Sequence, residues 1–290
     1  MDLSFILNMP VIRSLLGALG EDAALHLVGG ALRDLYLGNK PKDLDFATRF
    51  RPEEVITRLE ASGIKWVQIG IRRGTVAAVI DGESYEITTF RNPLKETEYT
   101  DNITDDLPAR DFTINAIALC LSSGQIIDPF DGIVDLKLSR LKAVGDPTRR
   151  FTEDPHRILR MVRFGICQGR SIDAETELAA QALVKELRGI SLERVREELV
   201  KILISHHAGN ALRYMLNLGI LEQVLPELLP TVGLSQNKWH VYDVFTHITT
   251  VIDHCPQDKI IRLAALLHDI GKPRCVSDDE SGRHFYQHEH

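Results

Sequence analysis

Two aspartates separated by one residue, Asp43 and Asp45, carry the clearest chemistry in the chain. Residues 43–47 alternate charged and apolar types, which predicts a half-buried strand. On a strand, that spacing sets both carboxylates on one face. Such a pair suits Mg²⁺, which takes oxygen ligands and keeps positions for phosphates. Two such ions activate an attacking hydroxyl and stabilise a leaving pyrophosphate. Upstream, Gly29 and Gly30 lack side chains, so backbone N–H groups can approach a triphosphate. The helix expected after them favours negative charge at its N-terminus. Arg33 adds a cation for phosphate, and Asp34 can orient it. Glu86, on a further predicted strand, reads either as a third metal-facing carboxylate or as an exposed strand residue. Each feature alone is ordinary, since an Asp-x-Asp pair is more often a solvated face and Gly-Gly a simple turn. Their order and spacing point to nucleotide chemistry.

These residues need a scaffold. Residues 25–28 read as a short strand, 31–37 as a helix closed by Gly38, and 52–62 as a second helix. Strands over 75–80 and 84–90 flank Asp81-Gly82, a hairpin turn signal. Residues 91–108 are polar and read as a loop, and 112–121 are apolar enough for helix or strand. From Pro147 the apolar period becomes 3.6, which predicts helices over 154–165, 173–187, 192–204 and 209–216. Ser191 reads as an N-cap, with Glu193 in the first turn close to a capping box. Residues 232–290 are again helical in pattern and rich in histidine. The expected organisation is an α/β head (1–146), a helical neck and body (147–231) and a helical third domain (232–290).

Composition narrows the function classes. With 44% hydrophobic and 26% charged residues, the chain reads as a globular protein. No apolar run approaches the roughly 20 residues that cross a bilayer, so no membrane partner is expected. Cys120, Cys167, Cys255 and Cys275 form no CxxC pair, so neither a zinc ribbon nor a disulfide framework is suggested. The first residues carry no basic group before their short apolar stretch, so a cytoplasmic setting is expected. A net charge of −7 weighs against a generic nucleic-acid binder. Basic residues do cluster at 149–163, and any nucleic-acid contact should concentrate there. The sequence is silent on oligomeric state.

The stretch LVGGALRDLYLGNKPKDLDFAT, residues 27–48, resembles the signature of polymerase-β-like nucleotidyltransferases of the class II tRNA nucleotidyltransferase and bacterial poly(A) polymerase family. GIRRGTV (70–76) looks like an element of the tRNA-specific members. ARDFTINAIAL (109–119) is similar to the family's Arg-Arg-Asp-Phe-Thr-Ile-Asn-Ala element, with Asp111 and Asn115 matching residues near sugar and phosphates and Ala109 replacing the first arginine. DPFDGIVDL (128–136) matches the next element. The resemblance covers nearly the whole chain and is least specific over 166–231. It implies template-independent transfer of CMP, AMP or both from CTP and ATP to a tRNA 3′ end, with Mg²⁺ held by Asp43 and Asp45.

RRFTEDPHRILRMVRF (149–164) resembles the family's base-selecting Glu-Asp-x-x-Arg motif. Spacing alone favours a surface helix with Glu–Arg pairs at i,i+4. The resemblance instead implies that Asp154 accepts from the amino group of cytosine or adenine while Arg157 donates to a ring acceptor. Guanine and uracil would set a carbonyl against the carboxylate, which leaves two acceptors unpaired. Arg160 and Arg163 are expected at phosphate or tRNA backbone. Members of the family add CCA, CC or A alone. The loop at 92–109, implied to govern the switch from CTP to ATP, is short here, so a CC-adding enzyme stands beside the favoured CCA-adding one, with an A-adding enzyme third. Poly(A) polymerase is the neighbouring activity, and GIRRGTV weighs against it.

His247, His268-Asp269 in LLHDIGKP, and His288 resemble the HD phosphohydrolase pattern, which implies a second divalent-metal site. The chain stops at His290, shortly after the third ligand position, so a truncated HD domain is expected. An HD phosphohydrolase with a degenerate head is the rival reading, and the intact Asp43/Asp45 pair argues against it.

Overall fold

The computed structural model describes residues 3–41, 43–70, 74–92, 98–237, 240–279 and 282–288. The chain divides into two compact units, Met1–Leu138 with Lys142–Gly145, and Ser139–Leu141 with Asp146–His290.

The first unit is built on a seven-stranded mixed sheet. Its strands are β1 (His26–Val28), β2 (Asp45–Thr48), β3 (Lys65–Gly70), β4 (Thr75–Ile80), β5 (Glu83–Thr89), β6 (Ala118–Cys120) and β7 (Ile126–Ile127), in the order β3-β4-β5-β2-β1-β6-β7. Only β2 and β5 pair in parallel; the other neighbours are antiparallel. β1 is buried along its length, as a central strand covered on both faces must be. Helices α1 (Leu3–Leu7), α2 (Pro10–Leu19), α3 (Gly30–Tyr36), α4 (Pro52–Ala61), α5 (Ile103–Asp106) and α6 (Gly132–Lys137) complete the unit. α2 starts on Pro10, whose missing N–H costs nothing in a first turn, and buries Ile12, Leu15, Ala18 and Leu19 at helical spacing. Val28, Ala47, Phe90, Ile103, Leu107, Ala116, Ala118 and Val144 form a buried cluster that ties β1 and β2 to the 103–118 segment.

Three local expectations change. β2 begins at Asp45, not 43, because its first pairing is Val28↔Asp45. Past Val28 the chain turns away at Gly29, with φ +68°, so Asp43 has no strand to pair with and stands exposed before β2. The 91–108 loop holds the single turn α5, with the Asn102 side chain accepting from Thr104 N–H at 3.1 Å, and then a 3₁₀ turn at Leu107–Ala109. The ambiguous 112–121 segment divides into a 3₁₀ turn, Thr113–Asn115, and β6. Residues 71–73 of the GIRRGTV element and 93–97 of the 92–109 loop lie outside the described residues.

The second unit contains α7 (Pro147–Glu153), α8 (His156–Phe164), α9 (Ala174–Leu183), α10 (Leu192–Leu203), α11 (Ala208–Asn217), α12 (Ile220–Val224), α13 (Val244–His254) and α14 (Lys259–Leu267). Two short pairings join them: β8 (Arg140–Leu141) parallel to β9 (Ser171–Ile172), and the hairpin of β10 (Val276–Asp279) with β11 (Gly282–Phe285). That hairpin corrects the expectation of a purely helical third segment. The helix expected from 154 begins at His156. Asp154 takes an extended conformation, φ −151° and ψ 94°, because the ring of Pro155 disfavours the helical region for the residue before it. The 173–187 helix ends at Leu183 and continues as a 3₁₀ turn, Val184–Gly189. Ser191 has N-cap backbone angles, but its hydroxyl makes no cap bond. Among the described residues, no helix is long and apolar enough to cross a membrane.

Candidate functional site

In the first unit the chemistry gathers where β1 ends and β2 begins. The parallel register Phe46↔Ile87 sets Asp45 level with Glu86 on the neighbouring strand, so the two carboxylates share a face. Burial raises the pKa of the Asp45 carboxyl above its ordinary range; Arg110 opposes that shift and Asp43 adds to it. Glu86 is likewise raised, by burial first and then by the charges of Asp45 and Asp43. Three carboxylates that feel one another's charge form a place where a cation relieves repulsion, and their oxygen donors fit Mg²⁺. They adjoin without converging: among the described residues, the metal-type trio whose ligand atoms all lie within 4.8 Å is His247, His268 and Asp269.

Gly29 supplies the open side of this group. A Cβ built there would lie 3.6 Å from Arg110 Nη1 and 3.8 Å from Asp45 Oδ2, so a side chain would fill the space that an anion needs. Gly30 opens α3, and Arg33 sits against it, 3.3 Å from where its Cβ would be. Arg33 is buried rather than free in solvent. Its Nη1 donates to Asn115 Oδ1 at 2.9 Å and its Nε to Asp34 Oδ1 at 3.1 Å. Asn115 Nδ2 in turn donates to Asp111 Oδ1 at 3.0 Å. The sequence-selected residues Arg33, Asp111 and Asn115 therefore form one hydrogen-bonded chain, which locks α3 to the 111–115 turn. Thr113 donates to buried Asp135 at 2.7 Å, and Gly132 lies so close that a Cβ there would collide with the Thr113 carbonyl. The 128–136 element thus clamps the turn from behind.

Arg110 was not among the residues chosen from the sequence. It reaches Gly29 and the charge of Asp45, and its Nη2 donates to buried Asp106 at 3.1 Å. The available signal was its place beside Asp111 in the ARDFTINA run. A cavity of about 1090 Å³ in this unit shares only Asp43 with the group; apolar residues such as Leu35, Tyr36 and Leu44 line much of the rest, so it is not the anion cradle.

In the second unit the break at Asp154 separates two kinds of contact. Glu153, the last residue of α7, accepts from Arg149 at 2.9 Å, Arg150 at 2.7 Å and Arg157 at 3.3 Å. Arg157 also donates to the Arg150 carbonyl at 3.0 Å. Asp154 turns to α10 instead, where Arg194 Nη2 donates to its Oδ2 at 2.7 Å, while the His156 N–H reaches Oδ1 at 3.2 Å. Burial pushes the Asp154 carboxyl up, but the bond and charge of Arg194 outweigh it and hold the group below its ordinary range. Arg160 and Arg163 both lie over the Phe164 ring, at 5.1 and 3.9 Å. Arg163 is further committed to the buried Glu198 of α10, so it belongs to the packing of α8 on α10.

The histidines predicted as a set come together around one buried carboxylate. Asp269 lies 3.6 Å from His247 Nε2, 3.2 Å from His268 Nε2 and 3.4 Å from His288 Nε2. Backbone carbonyls of Ala265 and Phe285 bond the other ring nitrogens of His268 and His288, which orients both rings. Lys272, missed in the sequence although it lies in the same LLHDIGKP string, places Nζ 2.7 Å from Asp269 and 2.7 Å from Gln236 Oε1. Burial alone would raise the Asp269 carboxyl, but His268 and Lys272 hold it far below its ordinary range. Imidazole and carboxylate donors suit a divalent transition ion.

Comparison with known proteins follows the same division. Residues 25–142 match the model of the poly A polymerase head domain, and 169–231 match one described as the probable RNA and SrmB-binding site of polymerase A. The CCA-adding enzyme of Lactobacillus helveticus is 41% identical over 230 residues, covering 76% of this chain and 55% of that protein. That of Lactobacillus delbrueckii subsp. bulgaricus is 40% identical over 275 residues, 88% of this chain and 66% of that protein. Among solved structures, the Bacillus stearothermophilus CCA-adding enzyme in complex with CTP superposes with a TM-score of 0.67 at 35% identity, over 73% of this chain and 53% of that one. The Thermotoga maritima CCA-adding enzyme complexed with tRNA gives 0.68 at 26% identity, over 93% and 72%. The chain spans about half the length of the first of the curated relatives it matches. The mixed-sheet head and the helical body are those of CCA-adding enzyme structures.

Proposed function

The chain belongs to the bacterial-type tRNA nucleotidyltransferase and poly(A) polymerase family, and from that premise we propose that it adds CCA to tRNA 3′ ends, using CTP and ATP and releasing pyrophosphate. The observation that carries this reading is the carboxylate group Asp43, Asp45 and Glu86 at the side-chain-free Gly29, where burial raises the pKa of Asp45 and of Glu86. Asp43 and Asp45, with Glu86 on the adjoining strand, would hold Mg²⁺. Bound there, Mg²⁺ supplies Lewis-acid stabilisation of the charge that develops on phosphate. Gly29 and Gly30 leave room for the triphosphate at the start of α3, and Arg110 adds a cation beside them. Arg33, Asn115 and Asp111 fix that cradle in shape.

Asp154 accepts from the amino group of the incoming base and Arg157 donates to its ring acceptor, so cytosine and adenine satisfy both and guanine and uracil do not. Arg160 contacts phosphate or tRNA backbone. In functional terms, residues 1–146 are the nucleotidyltransferase head, 147–231 the neck and body that grip tRNA, and 232–290 an HD domain, all in a cytoplasmic protein. The curated relatives and the CTP and tRNA complexes that the chain resembles favour CCA addition over the CC-adding, A-adding and poly(A) alternatives. The cluster of His247, His268, Asp269 and His288 supports a second reading alongside the first: a divalent-metal centre of the HD type, acting on phosphoesters. The test is incorporation of labelled CTP and ATP into a tRNA lacking its 3′ CCA, in the presence of Mg²⁺. Labelling that Asp45→Asn abolishes is expected; no labelling by folded protein overturns the proposal.

A further inference from the structure

We propose that Arg194 is a positioning residue for base selection, fixing the carboxylate of Asp154 so that only an amino-bearing base edge satisfies it. The inference rests on the assignment of Asp154 as the acceptor for that amino group. Asp154 lies at the break between α7 and α8 in an extended conformation, so its side chain leaves the face that either helix would give it. Its orientation is therefore set from outside. Arg194, in the first turn of α10, donates to Oδ2 at 2.7 Å, and the His156 N–H reaches Oδ1 at 3.2 Å. Both oxygens are thus held, and each keeps a lone pair for a further donor.

The first turn of α10 is itself tied down. The Arg194 carbonyl bonds His156 Nε2 at 3.3 Å, so the residue grips the Asp154 turn through its backbone as well as its side chain. One turn further on, Glu198 is buried and bonded by Arg163 of α8. These bonds set the register of α10 on α8, and Arg194 transmits it to Asp154. The charge matters as well as the position. A carboxylate that stays ionised only accepts hydrogen bonds, whereas a protonated one also offers an O–H. That O–H would match the carbonyl of uracil or guanine. The cation at 2.7 Å keeps the group an acceptor.

The experiment compares the full chain with Arg194→Met, Arg194→Lys and Asp154→Ala. Each is given tRNA lacking its 3′ CCA, with CTP or UTP singly, and Kd values for CTP and UTP are measured by calorimetric titration alongside melting curves. Arg194→Met should reduce the preference for CTP over UTP by roughly tenfold or more, the range for losing a charged hydrogen bond. Arg194→Lys should restore part of the preference. Adding Arg194→Met to Asp154→Ala should cause no further loss. If Asp154→Ala destroys discrimination while Arg194→Met lowers only the melting temperature, or slows both nucleotides equally, Arg194 is a structural clamp and the proposal fails. If Asp154→Ala leaves discrimination intact, the base-reading assignment fails, and the role of Arg194 falls with it.

Discussion

Glu198 offers a test of how the helical unit is held together. Its carboxylate is 2% exposed and receives Arg163 through Nε and Nη2, with Lys201 Nζ at 3.5 Å. Glu198→Ala would leave the Arg163 guanidinium beside Phe164 without its counter-charge. Removing one partner of a buried pair costs about 3–5 kcal/mol. Arg163 is 18% exposed and can regain some water, so the lower end, about 3 kcal/mol, applies. At about 2–4 °C per kcal/mol for a unit of this size, the melting transition of the helical unit should fall by about 6–12 °C. The pH dependence gives a second check. Burial pushes the Glu198 carboxyl up, but Arg163 and Lys201 outweigh it and lower the folded-state pKa below the ordinary 4.5. A lowered carboxyl pKa contributes stability above the unfolded value and loses it as pH falls through the folded one. The melting gap between native protein and variant should therefore be full at neutral pH and close below about 4.5. Calorimetric melting across that range measures both. A gap under about 2 °C at pH 7, or one that does not narrow as pH falls below about 4.5, would refute the assignment of Glu198 as a charged clamp.

Three further perturbations address the sites. Asp45→Asn should reduce nucleotide addition by at least about 10³-fold. Because the folded carboxyl pKa is raised, its charge disfavours the folded state above that pKa, so without metal the variant should melt no lower than the native protein and should lose the rise in Tm caused by Mg²⁺. Gly29→Ala places a Cβ beside Arg110 and Asp45 at φ +68° and ψ −136°, a conformation that costs a side-chain-bearing residue about 1–3 kcal/mol; thermal melting should show that loss, and KM for CTP should rise. His268→Ala should abolish the visible absorption of Co²⁺ bound at the histidine cluster while leaving nucleotide addition intact, and an unchanged spectrum would remove that cluster as a metal centre.

What the sequence revealed follows where physical signals are local. The Gly29-Gly30 turn, the Asp81-Gly82 hairpin and the helices α3 and α4 depend on backbone chemistry or apolar period, and both are written in single residues. β3 escaped notice because it is an edge strand with Val67 and Ile69 about half exposed, so no alternating burial marks it. The start of β2 at Asp45 was set by where β1 ends, a fact about a partner 17 residues upstream in the pairing Val28↔Asp45. The carboxylates, glycines and histidines of the sites could be chosen by type and spacing. Their partners could not: Arg194 meets Asp154 across 40 residues and Glu198 meets Arg163 across 35, distances over which no local pattern speaks. Pro155 was visible, but its effect on Asp154 was masked by a run that otherwise has helical spacing.

The central claim is that one carboxylate group and one base reader build a defined CCA end. It is tested most directly by sizing products at single-nucleotide resolution on a tRNA lacking its 3′ CCA, with Mg²⁺ and CTP alone, ATP alone, or both. The account predicts two additions with CTP alone and three with CTP plus ATP, after which growth stops. A stop at two with both nucleotides would identify CC addition, and a long adenylate tail or no addition at all would contradict the account.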